Sequence, residues 1–296
     1  MSVLPRPFPS LLITALLAGC MTGHAITAGA TTLRLSTWNL DWLTQRRTGD
    51  PALPPDVHPR DITDIDRLAR YAARLHPDIV ALEEIDTPEL AARLFPAPRY
   101  RILMSHDGVV QKTALAVRAG LNVTRNPDLD ALDVYPPDAP RHLRGGLDVT
   151  IDDGHATLRL LVVHLKAGCR DGTAGDRRPA CRTLYRQVAI LTDWIMERQD
   201  EGEPFAVLGD FNHMLGTGDP MLSMLDGNGP LTVPTVGMAS PCWGGEYFID
   251  HIILGDRARQ WLRPGSLRVM PYQERDPALR SRLSDHCPVS IGLDMP

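Results

Sequence analysis

The sequence predicts an α/β fold, and three observations carry that expectation. Apolar runs too short for helices recur along the chain, such as 78–85 (DIVALEEI) and 205–209 (FAVLG), and they read as strands buried on both faces. Between them lie stretches with apolar residues three and four apart, the helical spacing. The apolar runs also end in carboxylate, amide or imidazole groups, as in 204–213 (PFAVLGDFNH), where Asp210 and Asn212 follow the strand two positions apart. In extended backbone that spacing sends both side chains off one face at the strand's carboxyl end, where layered α/β proteins keep their sites. The competing reading is an Asx turn in which Asp210 and Asn212 only bond nearby backbone.

From the amino terminus, 33–40 (LRLSTWNL) alternates and is rich in strand formers, with Asn39 at its end and Asp41 just beyond. The proline-rich 51–59 is a surface loop. A helix is expected from Asp61, a capping residue, with Ile65, Leu68, Ala72 and Leu75 on one face and Pro77 as its stop. The strand 78–85 ends in Glu83 and Glu84, which alternation sends to opposite faces. Thr87 and Pro88 open a short helix. Strands are expected at 100–104, 113–118, 146–151 and 157–165, with 126–140 a proline- and aspartate-rich loop. Arg141 and Arg144 precede Gly145-Gly146, where backbone can approach a ligand closely. Arg144 is thus a phosphate-binding candidate, set against the plainer reading of an exposed arginine at a turn.

His164 lies near the carboxyl end of 157–165, with Lys166 after it. The clearest helix, 180–201, carries Leu184, Val188, Leu191 and Ile195 as a core stripe without chemistry. After the 204–213 strand and turn comes a glycine-rich loop with one short helix near 219–225. The run 248–254 (FIDHIIL) is a buried strand interrupted by Asp250, whose charge must be paired or bound to something. Asp285-His286 precedes the final strand. No linker divides 31–296, so one domain is expected.

At 296 residues, 43% apolar and with a formal net charge of −5, the chain has a globular composition. No internal repeat is visible. Residues 1–30 read as a targeting segment, with Arg6, a short apolar core (LLITALL) at 11–17 and small residues after it. Leu17-Ala18-Gly19-Cys20 resembles a bacterial lipobox, so Cys20 is the expected lipidated residue and the sole membrane attachment. A cut after Ala28-Gly29-Ala30 is the alternative, and either route exports the protein to a membrane surface, the periplasm or the medium. Losing Arg6 takes the formal charge from −5 to −6, and Lys112 and Lys166 are the only lysines. That excludes a basic surface coating nucleic acid and leaves anion recognition to local groups. In an oxidising compartment Cys169, Cys181, Cys242 and Cys287 are read as disulfides. Of the three pairings, Cys169 with Cys181 and Cys242 with Cys287 is preferred. A zinc site is the weaker reading, because no two cysteines have the close spacing of zinc knuckles.

Collected, the polar residues at strand ends are Asn39, Asp41, Glu84, His164, Asp210, Asn212, Asp250, Asp285 and His286. Oxygen donors dominate, which suits a hard cation such as Mg²⁺, with Mn²⁺ or Ca²⁺ as alternatives, better than zinc. Histidine beside carboxylate is the pairing that orients an imidazole for proton transfer.

The series TWNLD, IVALEEI, VVHLK, LGDFN, FIDHI and SDHCPV resembles, in order and spacing, the endonuclease/exonuclease/phosphatase superfamily over about 33–291. That group includes deoxyribonucleases, abasic-site endonucleases, bacterial sphingomyelinases and inositol polyphosphate phosphatases. The resemblance implies a four-layer α-β-β-α sandwich of two mixed sheets with the site at one end. It implies that Glu84 is the principal metal ligand, with Asn39 and Asp285 nearby and Asp41 contributing through water. Asp210 and Asn212 would position the attacking water and a phosphoryl oxygen, His286 oriented by Asp250 would be the general acid/base, and His164 would contact the phosphate. Glu83-Glu84 departs from the Gln-Glu common in the family and adds negative charge near the metal. The expected function is an exported Mg²⁺-dependent phosphoesterase that hydrolyses phosphodiesters by in-line water attack, with DNA or RNA as substrate, Arg144 and Lys166 binding phosphate, and no protein partner. The alternatives are a sphingomyelinase-like or phosphomonoester hydrolase and, in another class, a non-catalytic surface lipoprotein that binds through the same fold.

Overall fold

Two mixed sheets face each other, each covered on its outer side by helices, in a computed structural model that describes residues 1, 2, 4, 31–227 and 229–296. The expected targeting segment, with Cys20 and the cut after Ala30, lies outside the described residues. Along the chain the elements are β1 (Thr31–Leu43), α1 (Ile62–Leu75), β2 (Ile79–Ile85), α2 (Pro88–Leu94), β3 (Tyr100–Met104), β4 (Lys112–Arg118), β5 (Asn122–Arg125), β6 (Leu147–Asp152), β7 (Thr157–His164), α3 (Pro179–Asp200), β8 (Phe205–Asp210), α4 (Pro220–Leu225), β9 (Ala239–Ser240), β10 (Glu246–Tyr247), β11 (Asp250–Gly255), β12 (Arg268–Val269) and β13 (Val289–Met295). The first sheet runs β12-β13-β1-β2-β4-β3, the second β11-β8-β7-β6-β5, and β9 with β10 makes a small separate ribbon. Within the large sheets β1 lies parallel to β2 and β7 parallel to β8, so these four strands carry their carboxyl ends to the same end of the sandwich.

Strand alternation decides what faces what. Leu33 and Leu35 of β1, Ile79 and Ala81 of β2, Leu158, Leu160 and Val162 of β7, Ala206 and Leu208 of β8, and Ile252 and Leu254 of β11 form one buried cluster between the sheets. The other face of the first sheet, with Trp38, Val80 and Leu82, packs under α1 and α2. Leu161, Val163, Val207 and Ile253 of the second sheet pack under α3 and α4. These are the expected four layers. The helices α1 and α2 start where the sequence places caps, whereas α3 opens on Pro179 without a side-chain cap. Asp61 accepts from the Asp64 amide at 2.9 Å while the Asp64 carboxylate takes the Asp61 amide at 3.3 Å, a capping box in which the cap alone is worth ~1 kcal/mol. His76, in the left-handed region at φ 47°, ends α1 just before Pro77.

Two expectations are corrected. The four-residue β5 is an edge strand on β6 that was not anticipated; it carries half-exposed and exposed positions in NVTR, so it lacks the apolar run that marks a buried strand. β11 begins at Asp250 rather than at residue 248, so Asp250 caps the apolar run instead of interrupting it. Phe248 and Ile249 enter as a connector, with the Ile249 carbonyl taking the Phe211 amide at 2.9 Å. Both preferred cysteine pairs are bonded, Cys169 with Cys181 and Cys242 with Cys287. Among the described residues no helix is long and apolar enough to cross a membrane.

Candidate active site

The inter-sheet core turns polar at one end because its apolar rows end there. The row Leu33, Leu35 of β1 continues to Asn39, that of β7 to His164 and that of β8 to Asp210, while the row of β11 starts at Asp250, directly across from Asp210. Asn39, His164, Asp210 and Asp250 are all buried. The Asp210 Oδ2 is the hub. It accepts from Asn39 Nδ2 at 3.0 Å and Asn212 Nδ2 at 3.1 Å, with His164 Nε2 at 3.6 Å and His286 Nε2 at 3.9 Å. Asp210 Oδ1 accepts the Asn212 amide at 2.7 Å. The Asx turn and the site are therefore one object, since the turn fixes the carboxylate that the other groups converge on.

Glu84 joins through its backbone. Alternation would place it with Leu82 under the helices, but at φ 63° it lies in the left-handed region where β2 loses register with both β1 and β4. Its Oε1 takes Asn39 Nδ2 at 3.2 Å and lies 3.5 Å from His164 Nε2, and its Oε2 takes the Trp42 amide at 3.0 Å. Asp41, Trp42 and Asn212 share that backbone region at φ 45°, 57° and 52°. Each such non-glycine residue costs on the order of 1 kcal/mol, and here all four lie at the candidate site. The expectation that Glu83 and Glu84 diverge is corrected accordingly. Glu83 continues the inward row of β2 and sits fully buried, its Oε1 accepting the Thr37 hydroxyl at 3.0 Å and its Oε2 without a partner. Burial, then Asp250 and Asp210, raise its carboxyl well above the usual range, so it is held neutral. Glu83→Gln is accordingly expected to leave the thermal midpoint at pH 7 within about 2 °C, a change of under ~0.5 kcal/mol; a loss of several degrees would mean that a charged Glu83 is required.

His286 hangs from the loop before β13. Its Nδ1 lies 2.8 and 3.0 Å from the two Asp250 oxygens, and its Nε2 is 3.7 Å from Asp285 Oδ1. Burial pulls its imidazole down, but Asp250, Asp210 and Asp285 outweigh that and raise it well above its ordinary value. Burial pushes Asp210 up to about 7 against the pull of His286. His164 moves the other way, held neutral by burial and by Arg144. Arg144 is not the exposed turn residue of the plainer reading: its guanidinium is buried and donates to the His164 and Leu165 carbonyls at 3.2 and 3.5 Å. Lys166, half-buried, bonds the Ala167 carbonyl at 2.8 Å. Arg144 and Lys166 line one cleft with Trp42, Tyr135 and Arg141. A second cleft opens on the His286 side, lined by Arg170, Tyr247 and Arg280.

Two sets of side chains have the chemistry to hold a cation. Asp210, Asp250 and His286 each bring a ligand-type atom within 4.8 Å of the others. Asp41, Glu84 and Asp285 are the second set, the one the family resemblance implies, with Asn39 bonded to Glu84; among the described residues only the first set brings its ligand atoms this close together. Burial, followed by repulsion from Asp285 and, after the opposing Arg60, from Glu84, lifts Asp41 to about 7. Carboxylates that repel one another this way fit a hard divalent cation among them.

Two residues the sequence did not single out hold these groups in place. Arg60, buried, donates to the Asp41 and Leu283 carbonyls at 2.6 and 3.2 Å, tying the end of β1 to the loop of Asp285 and His286. Ser284 donates to the Asn39 carbonyl at 2.8 Å and accepts the His286 amide at 2.9 Å. Ser284 is part of the Ser-Asp-His motif, whereas nothing about an arginine at the end of a proline-rich loop marks Arg60.

Residues 36–286 match the model of the Endonuclease/Exonuclease/phosphatase family. No curated protein matches the chain by sequence. Among solved structures, truncated Caenorhabditis elegans TDP2 has a TM-score of 0.60 at 17% identity, with 89% of this chain and 98% of that one covered. The human Nocturnin catalytic domain gives 0.55 at 18%, covering 88% and 93%. The 3′-5′ exonuclease NExo from Neisseria meningitidis gives 0.55 at 18%, covering 88% and 100%. At these identities the likeness is one of fold.

Proposed function

The chain belongs to the endonuclease/exonuclease/phosphatase family, and from that premise we propose that it is an exported, Mg²⁺-dependent phosphodiesterase acting on nucleic acid. The observation that carries this reading is the Asp210 carboxylate, onto which Asn39, Asn212, His164 and His286 converge at the polar end of the inter-sheet core. Glu84, Asp41 and Asp285 with Asn39 hold the cation, which when bound supplies Lewis-acid stabilisation of charge on phosphoryl oxygens. Asp210, positioned by its Asx turn with Asn212, accepts a hydrogen bond from the attacking water, orients it and takes the proton it loses as its oxygen bonds phosphorus. His164 is neutral and offers its Nε2 hydrogen to a phosphoryl oxygen, with Arg144 and Lys166 adding positive charge at the neighbouring cleft. His286, kept as the imidazolium by Asp250, Asp210 and Asp285, keeps its Nδ1 proton hydrogen-bonded to Asp250 and gives its Nε2 proton to the departing oxygen.

Two features favour a diester. Clefts open on both the Lys166 side and the His286 side of the site, and a diester needs room for an ester group on each side of phosphorus. Each cleft combines arginine with an aromatic ring, the pairing that receives phosphates and stacks bases. The DNA-hairpin product in the Neisseria 3′ phosphatase structure, at TM-score 0.53 and 17% identity, is a precedent for such a ligand on this fold. Export is supported by the Cys169–Cys181 and Cys242–Cys287 disulfides, bonds that persist in oxidising compartments, and the lipid anchor at Cys20 remains part of the proposal.

The test is hydrolysis by the purified protein of supercoiled plasmid, bis-p-nitrophenyl phosphate, p-nitrophenyl phosphate and sphingomyelin, with Mg²⁺ and with EDTA. Plasmid nicking and diester hydrolysis are expected with Mg²⁺, falling at least ~10²-fold with EDTA. Turnover of only the lipid or the monoester would overturn the nucleic-acid assignment, and no turnover of any substrate would favour a binding module.

A further inference from the structure

His286 meets Asp250 and Asp210 across the gap between two sheets, yet it is carried by a loop rather than a strand. Its placement therefore depends on what fastens that loop. Arg60 takes the Leu283 carbonyl and Ser284 ties back to β1. The rest of the fastening comes from two segments whose side chains make no hydrogen bond to the Asp210, Asp250 or His286 side chains. The indole Nε1 of Trp243 donates to the Ser284 carbonyl at 2.8 Å. The Tyr272 hydroxyl donates to the His286 carbonyl at 2.9 Å and accepts from the fully buried Trp38 Nε1 at 2.9 Å. The two rings stack with centroids 5.3 Å apart and planes 28° from parallel, and Tyr71 of α1 meets Tyr272 edge-on at 4.9 Å. Cys242, beside Trp243, is bonded covalently to Cys287, beside His286.

We propose that Trp243, Tyr272 and the Cys242–Cys287 bond are positioning elements that hold His286 in line with Asp250 and Asp210, a role that rests on the phosphoesterase reading above. Trp243 fixes the carbonyl two residues before the imidazole, Tyr272 fixes the carbonyl of His286 itself, and the disulfide fixes the residue after it. Together they brace the histidine's backbone on both sides. Trp243, Cys242 and Cys287 also line the His286-side cleft, so the variant that isolates positioning is one that keeps the Trp243 ring as cleft wall and removes only its donor; that loss should appear in turnover rather than in substrate binding.

The experiment uses the full chain, with bis-p-nitrophenyl phosphate kinetics and NMR of the low-field His286 Nδ1 proton, the signature of its bond to Asp250. Trp243→Phe keeps the stacked ring and removes the donor; it is expected to lower kcat about tenfold at unchanged KM and to shift or broaden the proton signal. Cys242→Ala with Cys287→Ala, or mild reduction of the folded wild-type protein, is expected to lower kcat about 10²-fold, the scale of a small misplacement at a reacting centre. A loss confined to KM would mean that Trp243 acts only as a wall of the cleft it lines and overturn the proposal, as would an unchanged kcat. A wild-type protein that cleaves no phosphoester would sink the phosphoesterase reading instead. In that case the His286 signal still decides: unchanged in both variants, it overturns the positioning role.

Discussion

His286→Ala is expected to lower kcat for a phosphodiester about 10³-fold, with KM within a few-fold and the fold intact. The imidazole is 13% exposed and lines the cleft among polar partners, Asp250, Asp210 and Asp285, so its removal takes away ion pairs rather than a piece of the apolar core. Asp250→Asn is expected to cost less, about 10²-fold, because the amide keeps a hydrogen bond to Nδ1 but removes the charge that holds the proton on His286. The double variant should be no slower than His286→Ala alone, since Asp250 acts through the histidine it orients. Steady-state kinetics of the three proteins, with thermal melts to confirm folding, decide the matter. Losses that multiply would mean that Asp250 acts independently, as it would if it helped hold a cation in the cluster with Asp210 and His286.

The parts legible in the sequence were those written in local patterns. Apolar runs and turn residues predict every buried strand of the two sheets, and Asp61, Thr87 and Asp219 cap the helices they precede. The polar ends of the strands were legible for the same reason, since His164 and Asp210 are the next inward positions after apolar rows and Asn39 follows its row one inward position later, past Thr37. What local patterns cannot carry is a break in alternation. Glu84 reaches the site only through a left-handed backbone and a register shift that propensity does not encode, and the Glu83 carboxyl is raised first by its burial between the sheets and then by Asp250 and Asp210 of the facing sheet. Arg60, Trp243 and Tyr272 were illegible for a related reason. Each acts on a backbone carbonyl outside its own element, and a carbonyl leaves no trace in residue identity.

Gly209→Ala is expected to destabilise the protein by more than ~4 kcal/mol, a size reserved for collisions and buried defects. Gly209 of the LGDFN run has φ 139°, a conformation that residues with a Cβ rarely adopt, and it pairs with Val163 across the parallel β7 and β8. An added Cβ would lie 1.9 Å from the Val163 carbonyl oxygen and 2.9 Å from its carbon. Both atoms are backbone, so no side-chain rotation relieves the contact; the strands must separate. They would separate beside the site, because Asp210 follows Gly209 and His164 follows Val163. Whatever fraction of the variant folds should therefore also lose activity, as the distance between Asp210 Oδ2 and His164 Nε2 opens beyond its present 3.6 Å. Gly216→Ala is the control, since an added Cβ there meets nothing within 4 Å, and it should change stability by no more than ~0.5 kcal/mol. Chemical denaturation of both variants, with diester turnover on the folded fraction, separates the outcomes. A Gly209→Ala protein with wild-type midpoint and wild-type turnover would mean that β7 and β8 have room for a Cβ between them, and that the glycine before Asp210 is not needed to set the Asp210 carboxylate.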